Sequence, residues 1–211
     1  MRIVKEAEER RNEILDVAER LFVTKGFDNT STNDILSEIG IARGTLYYHF
    51  KSKTDILDAI IERIGNQLIG KATEIYHQKD IPILERFSVM ILALSVDGNL
   101  GQEVMEQVHK PQNALLHQKM QERLFTGIIP LITGLIEEGI EQGICHTDYP
   151  QEVAEMTFLY SLTAFDTLSN LGKEEKERKV IAFISNVEIL LGMKHGSMQA
   201  VFFAIFEKKS V

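Results

Sequence analysis

Between Ser31 and Lys53 the chain reads STNDILSEIGIARGTLYYHFKSK, and Arg43, Thr45, Tyr47, Tyr48 and His49 crowd into its second half. Each of these side chains donates hydrogen bonds. A guanidinium fork, a hydroxyl, two phenols and an imidazole suit phosphate oxygens and base edges better than bond cleavage. After Ile61 the chain offers no glycine-rich phosphate loop and no nucleophile motif, so an enzyme is not expected. His109 and His117 bracket Pro111, with Cys145 and His146 further on, but these spacings match no standard metal motif. Neither a metal nor a cofactor is expected.

The elements that must carry these residues are helical. Ile14, Ala18, Leu21 and Phe22 recur at helical spacing over about residues 6–25, and Gly26 suits the stop that follows. Ser31 with Asp34 makes a capping-box start for a second helix, whose Ile35 and Ile39 face inward. Gly40 permits a sharp turn into a third helix from about Ala42 to Phe50, with Leu46 and Phe50 inward and Thr45, Tyr47 and Tyr48 on other faces. Ser52 with Asp55 repeats the capping pattern and opens a long helix to about His77. Further helical stretches follow at about 82–96, 101–109, 112–142, 151–171 and 174–193. Pro130 is expected to kink or break the stretch at about 112–142, with Gly139, Gly143 and Pro150 marking the connection after it. The fold class is all-α: a three-helix head with a helix-turn-helix over residues 1–52, and a larger helical part over 53–211.

A chain of 211 residues with 44% hydrophobic and 26% charged content has material for a sizeable core. The net charge of -8 disfavours DNA binding at first sight. Its distribution removes the objection: residues 1–55 hold nine basic and ten acidic groups, and the remainder fourteen and twenty-one. Phosphate contact needs only a local basic face, which Arg2, Lys5, Arg10, Arg11, Arg43, Lys51 and Lys53 supply. A single cysteine fits a reducing compartment, and the charged first residues do not read as a signal peptide. No apolar run approaches a bilayer span of about 20 residues. The expectation is a cytoplasmic protein without a membrane partner.

The stretch TSTNDILSEIGIARGTLYYHFKSKTDIL, with the preceding LFVTKGF, resembles the signature of the tetracycline-repressor (TetR) family of transcription regulators from about Glu13 to Ile61. The resemblance implies a recognition helix in the major groove, with Arg43, Gly44 and Tyr48 toward base edges. Thr45, Tyr47, His49 and Lys53 match family positions that contact phosphates. Ser31 and Thr32 stand at a helix start suited to a backbone contact, and Asn33 is one step further toward a base edge. Ala42 departs from the common Ser or Thr cap, and Leu36 from the usual alanine.

The resemblance also implies a homodimer on double-stranded DNA with a palindromic operator, joined through about 151–171 and 174–193. The expected apolar stripes are Phe158, Leu162, Phe165 and Leu168 on one helix, and Val180, Phe183, Val187 and Leu191 on the other. An unknown small-molecule effector would lie in a cavity lined by Met105, His109, His117 and Met120, with Phe125, Met156, Tyr160 and Asp166. Effector binding would shift the dimer so that the two recognition helices no longer fit successive grooves, with the fourth helix as lever. The rival expectation is a DNA-bound adaptor of the same fold that recruits a protein and senses no ligand. In the tail, Val201, Phe202, Phe203, Ile205 and Phe206 are costly to expose and are expected to pack on the dimer bundle or meet a partner.

Overall fold

The computed structural model describes residues 7–94, 113–166 and 171–199, apart from the side chains of 91–94, 163–166 and 173. The described residues form eight α-helices and no strand: α1 Ala7–Lys25, α2 Thr32–Ile39, α3 Arg43–His49, α4 Lys53–His77, α5 Ile83–Leu94, α6 Ala114–Glu141, α7 Pro150–Asp166 and α8 Lys173–Leu190. They divide into two compact units. One takes Met1–Gln67 with Leu100–Arg123, the other Leu68–Asn99 with Leu124–Val211.

The first unit is built on α1, which buries Ile14, Leu15, Ala18, Leu21, Phe22 and Val23. At its C-terminal end Gly26 N donates to Phe22 O and Asn29 Nδ2 to Lys25 O, and the buried Thr30 hydroxyl donates to Gly26 O at 2.8 Å. The expected capping box is present at α2, where Asp34 N donates to Ser31 Oγ and Ser31 N donates to Asp34 Oδ2. These bonds from Ser31 hold the Asp34 carboxyl below the usual range. Gly40 closes α2 at φ 74, a left-handed setting in which a side chain would be strained. Leu46, Phe50, Ile56, Leu57 and Ile60 complete the core, and Leu116 of α6 packs into it from a distant point in sequence. Asn113 adds a buried donor bond to Val23 O at 3.2 Å.

In the second unit Arg86 is only 1% exposed and holds three segments together. Its guanidinium donates to Tyr76 O and Ile81 O, both at 3.0 Å, and grips both carboxylate oxygens of Glu138. Lys79 reaches the same carboxylate at 2.5 Å. Hydrogen bonding from Arg86 therefore holds Glu138 well below the normal carboxylate range, at about 2. A folded-state value below the unfolded one means stability that is complete above pH 4.5 and lost as pH falls toward 2. The contribution is about 3 kcal/mol, most of it gone by about pH 3. Glu138→Gln should therefore lower the unfolding free energy at pH 7 and flatten its decline between pH 5 and 3. Equal slopes for both proteins in that window would contradict this.

Three expectations are corrected. Pro130 does not break its helix: α6 runs unbroken from Ala114 to Glu141, and Gly139 lies inside it. Pro130 and Thr126, whose carbonyl would have met the missing N–H, are both exposed. Buried Ile128, Ile129 and Ile132 hold the turn against a local cost of about 3 kcal/mol. Gly139 is needed there, because a Cβ would stand 2.9 Å from Cys145 Sγ.

The third correction concerns the stripes assigned to a partner. Phe158, Phe183, Val187 and Leu191 are buried within the single chain, and Leu162 and Val180 are half-buried. The large apolar side chains left exposed are instead Met156, Leu159 and Tyr160 of α7 and Ile181, Ile189 and Leu190 of α8. Tyr160 stacks on the buried Phe183, with ring centroids 5.7 Å apart and planes 11° apart, so α7 and α8 touch there. Both helices are apolar on two sides, and a 3.6-residue period does not say which side turns inward. The side chain of Phe165, together with Leu168 and the tail from Val201 to Phe206, lies outside what is described.

Candidate nucleic-acid interface

The candidate interface is made of α2 and α3 with the start of α1. Leu46 and Phe50 anchor α3 in the core, leaving Arg43, Gly44, Tyr47 and Tyr48 exposed. Tyr48 is 78% exposed, an uncommon state for so large an aromatic side chain without a partner. Ala42 gives α3 no side-chain cap, and at the helix start Thr45 N donates to Ala42 O at 2.9 Å. Above Gly44 an added Cβ would meet nothing within 4 Å, which leaves the helix backbone open to close approach.

Arg43 and Asn33 are brought together, with Arg43 Nη2 donating to Asn33 Oδ1 at 2.9 Å. Thr45 is half-buried beside them. His49 is half-buried, its ring edge-on to Tyr48 at 4.9 Å. Partial burial, then the charges of Arg11 and Arg10, push its pKa down, so it presents a neutral imidazole with one N–H near pH 7. Arg11 itself lies over the Phe50 ring at 5.1 Å. The first turns of α1 thus add Arg10 and Arg11 to the α3 set. The sequence marks them only as part of a general basic face, since their closeness to His49 depends on tertiary packing.

Two expected phosphate donors are engaged within the chain. Ser31 commits its N–H and its hydroxyl to Asp34. Lys53 Nζ donates to Phe27 O at 2.7 Å and sits 4.2 Å above the Phe27 ring. Lysine keeps two further N–H donors, whereas Ser31 has none left. Thr32 is half-buried at the first position of α2.

The described residues among those expected around an effector are divided between the two units. His117 and Met120 belong to the first unit, where Met120 packs against the head core. Phe125 is half-buried in the second unit, 6.3 Å from the Phe158 ring. Met156 and Tyr160 stand on the exposed α7 face rather than in a cavity. Met105, His109 and the side chain of Asp166 lie outside the described residues. An apolar cleft does occur in the second unit, lined by Ile83, Phe87, Ile136, Cys145, Leu191 and Met198 among others, and none of the eight expected residues lines it. Burial pushes the Cys145 thiol up, so it is a poor nucleophile there. Among the described residues no group of three or more His, Cys, Asp or Glu could hold a metal ion, and no helix is long and apolar enough to cross a membrane.

Residues 14–60 match the family profile "Bacterial regulatory proteins, tetR family", and residues 95–187 match "Tetracyclin repressor-like, C-terminal domain". The chain is 30% identical over 156 residues to the HTH-type transcriptional repressor KstR2 of Rhodococcus jostii, covering 69% of this chain and 72% of that protein. It is 35% identical over 111 residues to the HTH-type transcriptional regulator AcrR of Shigella flexneri, where the match spans 50% of this chain and 51% of the relative. The fold is similar to that of reduced NemR from E. coli, with a TM-score of 0.64 at 16% identity, covering 86% of this chain and 97% of the other. A TetR-family regulator from Pectobacterium atrosepticum gives a TM-score of 0.62 at 23% identity, over 90% and 96% of the two chains.

Proposed function

The chain belongs to the tetR family of bacterial regulatory proteins, and from that membership we propose a homodimeric DNA-binding repressor whose operator is palindromic. In this reading residues 1–52, with Lys53, meet the DNA in the cytoplasm, and residues 53–211 serve effector binding and dimerisation. The observation that carries it is the outward face of α3. A helix of seven residues buries Leu46 and presents Arg43, Tyr47 and Tyr48 beside an open backbone at Gly44. Arg43 reads a guanine in the major groove, Tyr48 meets base edges, and Thr45, Tyr47 and His49 bond to phosphates.

A second copy covers the exposed Met156, Leu159, Tyr160, Ile181, Ile189 and Leu190 face. The two α3 helices then address half-sites about one helical turn, roughly 34–36 Å, apart. An apolar effector releases the operator by binding more tightly to the dimer form that fits it less well. α4 and α6 support that coupling, because each contributes residues to both compact units.

Selection from a random duplex pool tests the reading. The wild-type protein should enrich a two-fold symmetric sequence, with affinity falling steeply as salt rises. Gly44→Ala should melt no lower, since the added methyl meets nothing and alanine favours helix by about 1 kcal/mol. It should still bind the selected duplex about ten-fold or more weakly, because the methyl stands between backbone and DNA. Full affinity in Gly44→Ala would remove α3 from the interface.

A further inference from the structure

Asn33 and Arg43 come from different helices and are both exposed, yet they are joined by a 2.9 Å hydrogen bond. The guanidinium has only donors, so the Asn33 oxygen must face it and the amide N–H2 must turn the other way. Only Nη2 of Arg43 is engaged, which leaves N–H groups for a bidentate contact. A long, exposed arginine ordinarily samples many rotamers, and ordering one on binding reduces affinity. Asn33 is itself fixed, standing within the α2 turn that the Ser31 and Asp34 cap closes.

We infer that Asn33 is a positioning residue for base recognition: it sets the guanidinium of Arg43 in advance, and its influence on sequence preference runs through Arg43 and not through a base contact of its own. This rests on the proposed role of α3 in DNA reading. The selectivity of this chain is then a property of a pair, and a relative with arginine at position 43 but a side chain lacking an acceptor at 33 discriminates less well.

The test uses the duplex selected by the full-length wild-type protein, together with each single base-pair variant of it. Arg43→Ala should abolish preference at one guanine of each half-site, by about ten-fold or more. Asn33→Ala should reduce preference at that same base pair roughly three- to ten-fold and leave the other positions unchanged. Its salt dependence should stay that of the wild type, because no phosphate contact is lost. In the Arg43→Ala background, Asn33→Ala should add nothing. Asn33→Asp keeps the acceptor and should keep the preference, while binding every duplex less tightly through repulsion from phosphates.

Loss of preference at a different base pair, additivity with Arg43→Ala, or a uniform loss with a shallower salt slope would each overturn the inference. So would an Arg43→Ala protein whose base preferences are all intact. If the wild-type protein enriches no sequence at all, the DNA-reading role itself fails. That failure is distinct from any result with Asn33.

Discussion

The double variant Leu159→Glu, Ile189→Glu should be a folded monomer that binds the selected operator about 10²–10⁴-fold more weakly than the wild type. These side chains are 52% and 73% exposed in the single chain, so charging them costs the isolated protomer little. In a two-fold assembly the same change sets carboxylates against apolar surface and against their own copies, and the pairing cannot survive it. A half-site held by one α3 then loses the benefit of its tethered twin, which is the origin of the large factor. Sedimentation should give the monomer mass, circular dichroism should show retained helix, and titration with a single half-site should be nearly unchanged. A variant that remains dimeric would assign the interface to another face.

Arg86→Ala should be the most destabilising single change in the second unit, by about 3–5 kcal/mol. The substitution leaves the Glu138 carboxylate with Lys79 and a long 3.4 Å bond from Gln142 Nε2, and removes the donors to Tyr76 O and Ile81 O. The melting temperature should fall on the order of 10 °C. Arg86→Met with Glu138→Met should recover much of the loss, since a matched apolar pair leaves no buried charge. If Arg86→Ala melts within a degree or two of the wild type, the ion cluster contributes little.

What the sequence disclosed follows the range of the forces involved. Local rules located the α2 start, because Ser31 and Asp34 satisfy each other within three residues, and the turn at Gly40, because the backbone there needs a positive φ. The inward face of α3 was equally legible, since Leu46 and Phe50 recur at i and i+4 within a short polar segment. At Ser52 the local rule held in part: Asp55 N donates to the Ser52 hydroxyl, but the Asp55 carboxylate accepts from Lys51 N.

The misses come from tertiary competition. On α7 and α8 two apolar stripes compete for the core, and the volume available inside the unit selects Phe158 and Phe183. Lys53 looked available because nothing in sequence reveals that Phe27 O and its ring lie within reach, 26 positions earlier. Arg86 gave no signal at all. A lone arginine in an apolar helix acquires meaning only when Glu138, 52 residues on, arrives beside it.

The way Leu116 and Asn113 complete the N-terminal core bears on modular engineering. A transplant that moves only the first helices of this protein onto another sensor would leave behind a plug and a buried amide that come from more than a hundred residues into the chain. Chimeras will need that later segment as part of the graft, and the junctions belong inside α4 and α6, each of which gives residues to both units.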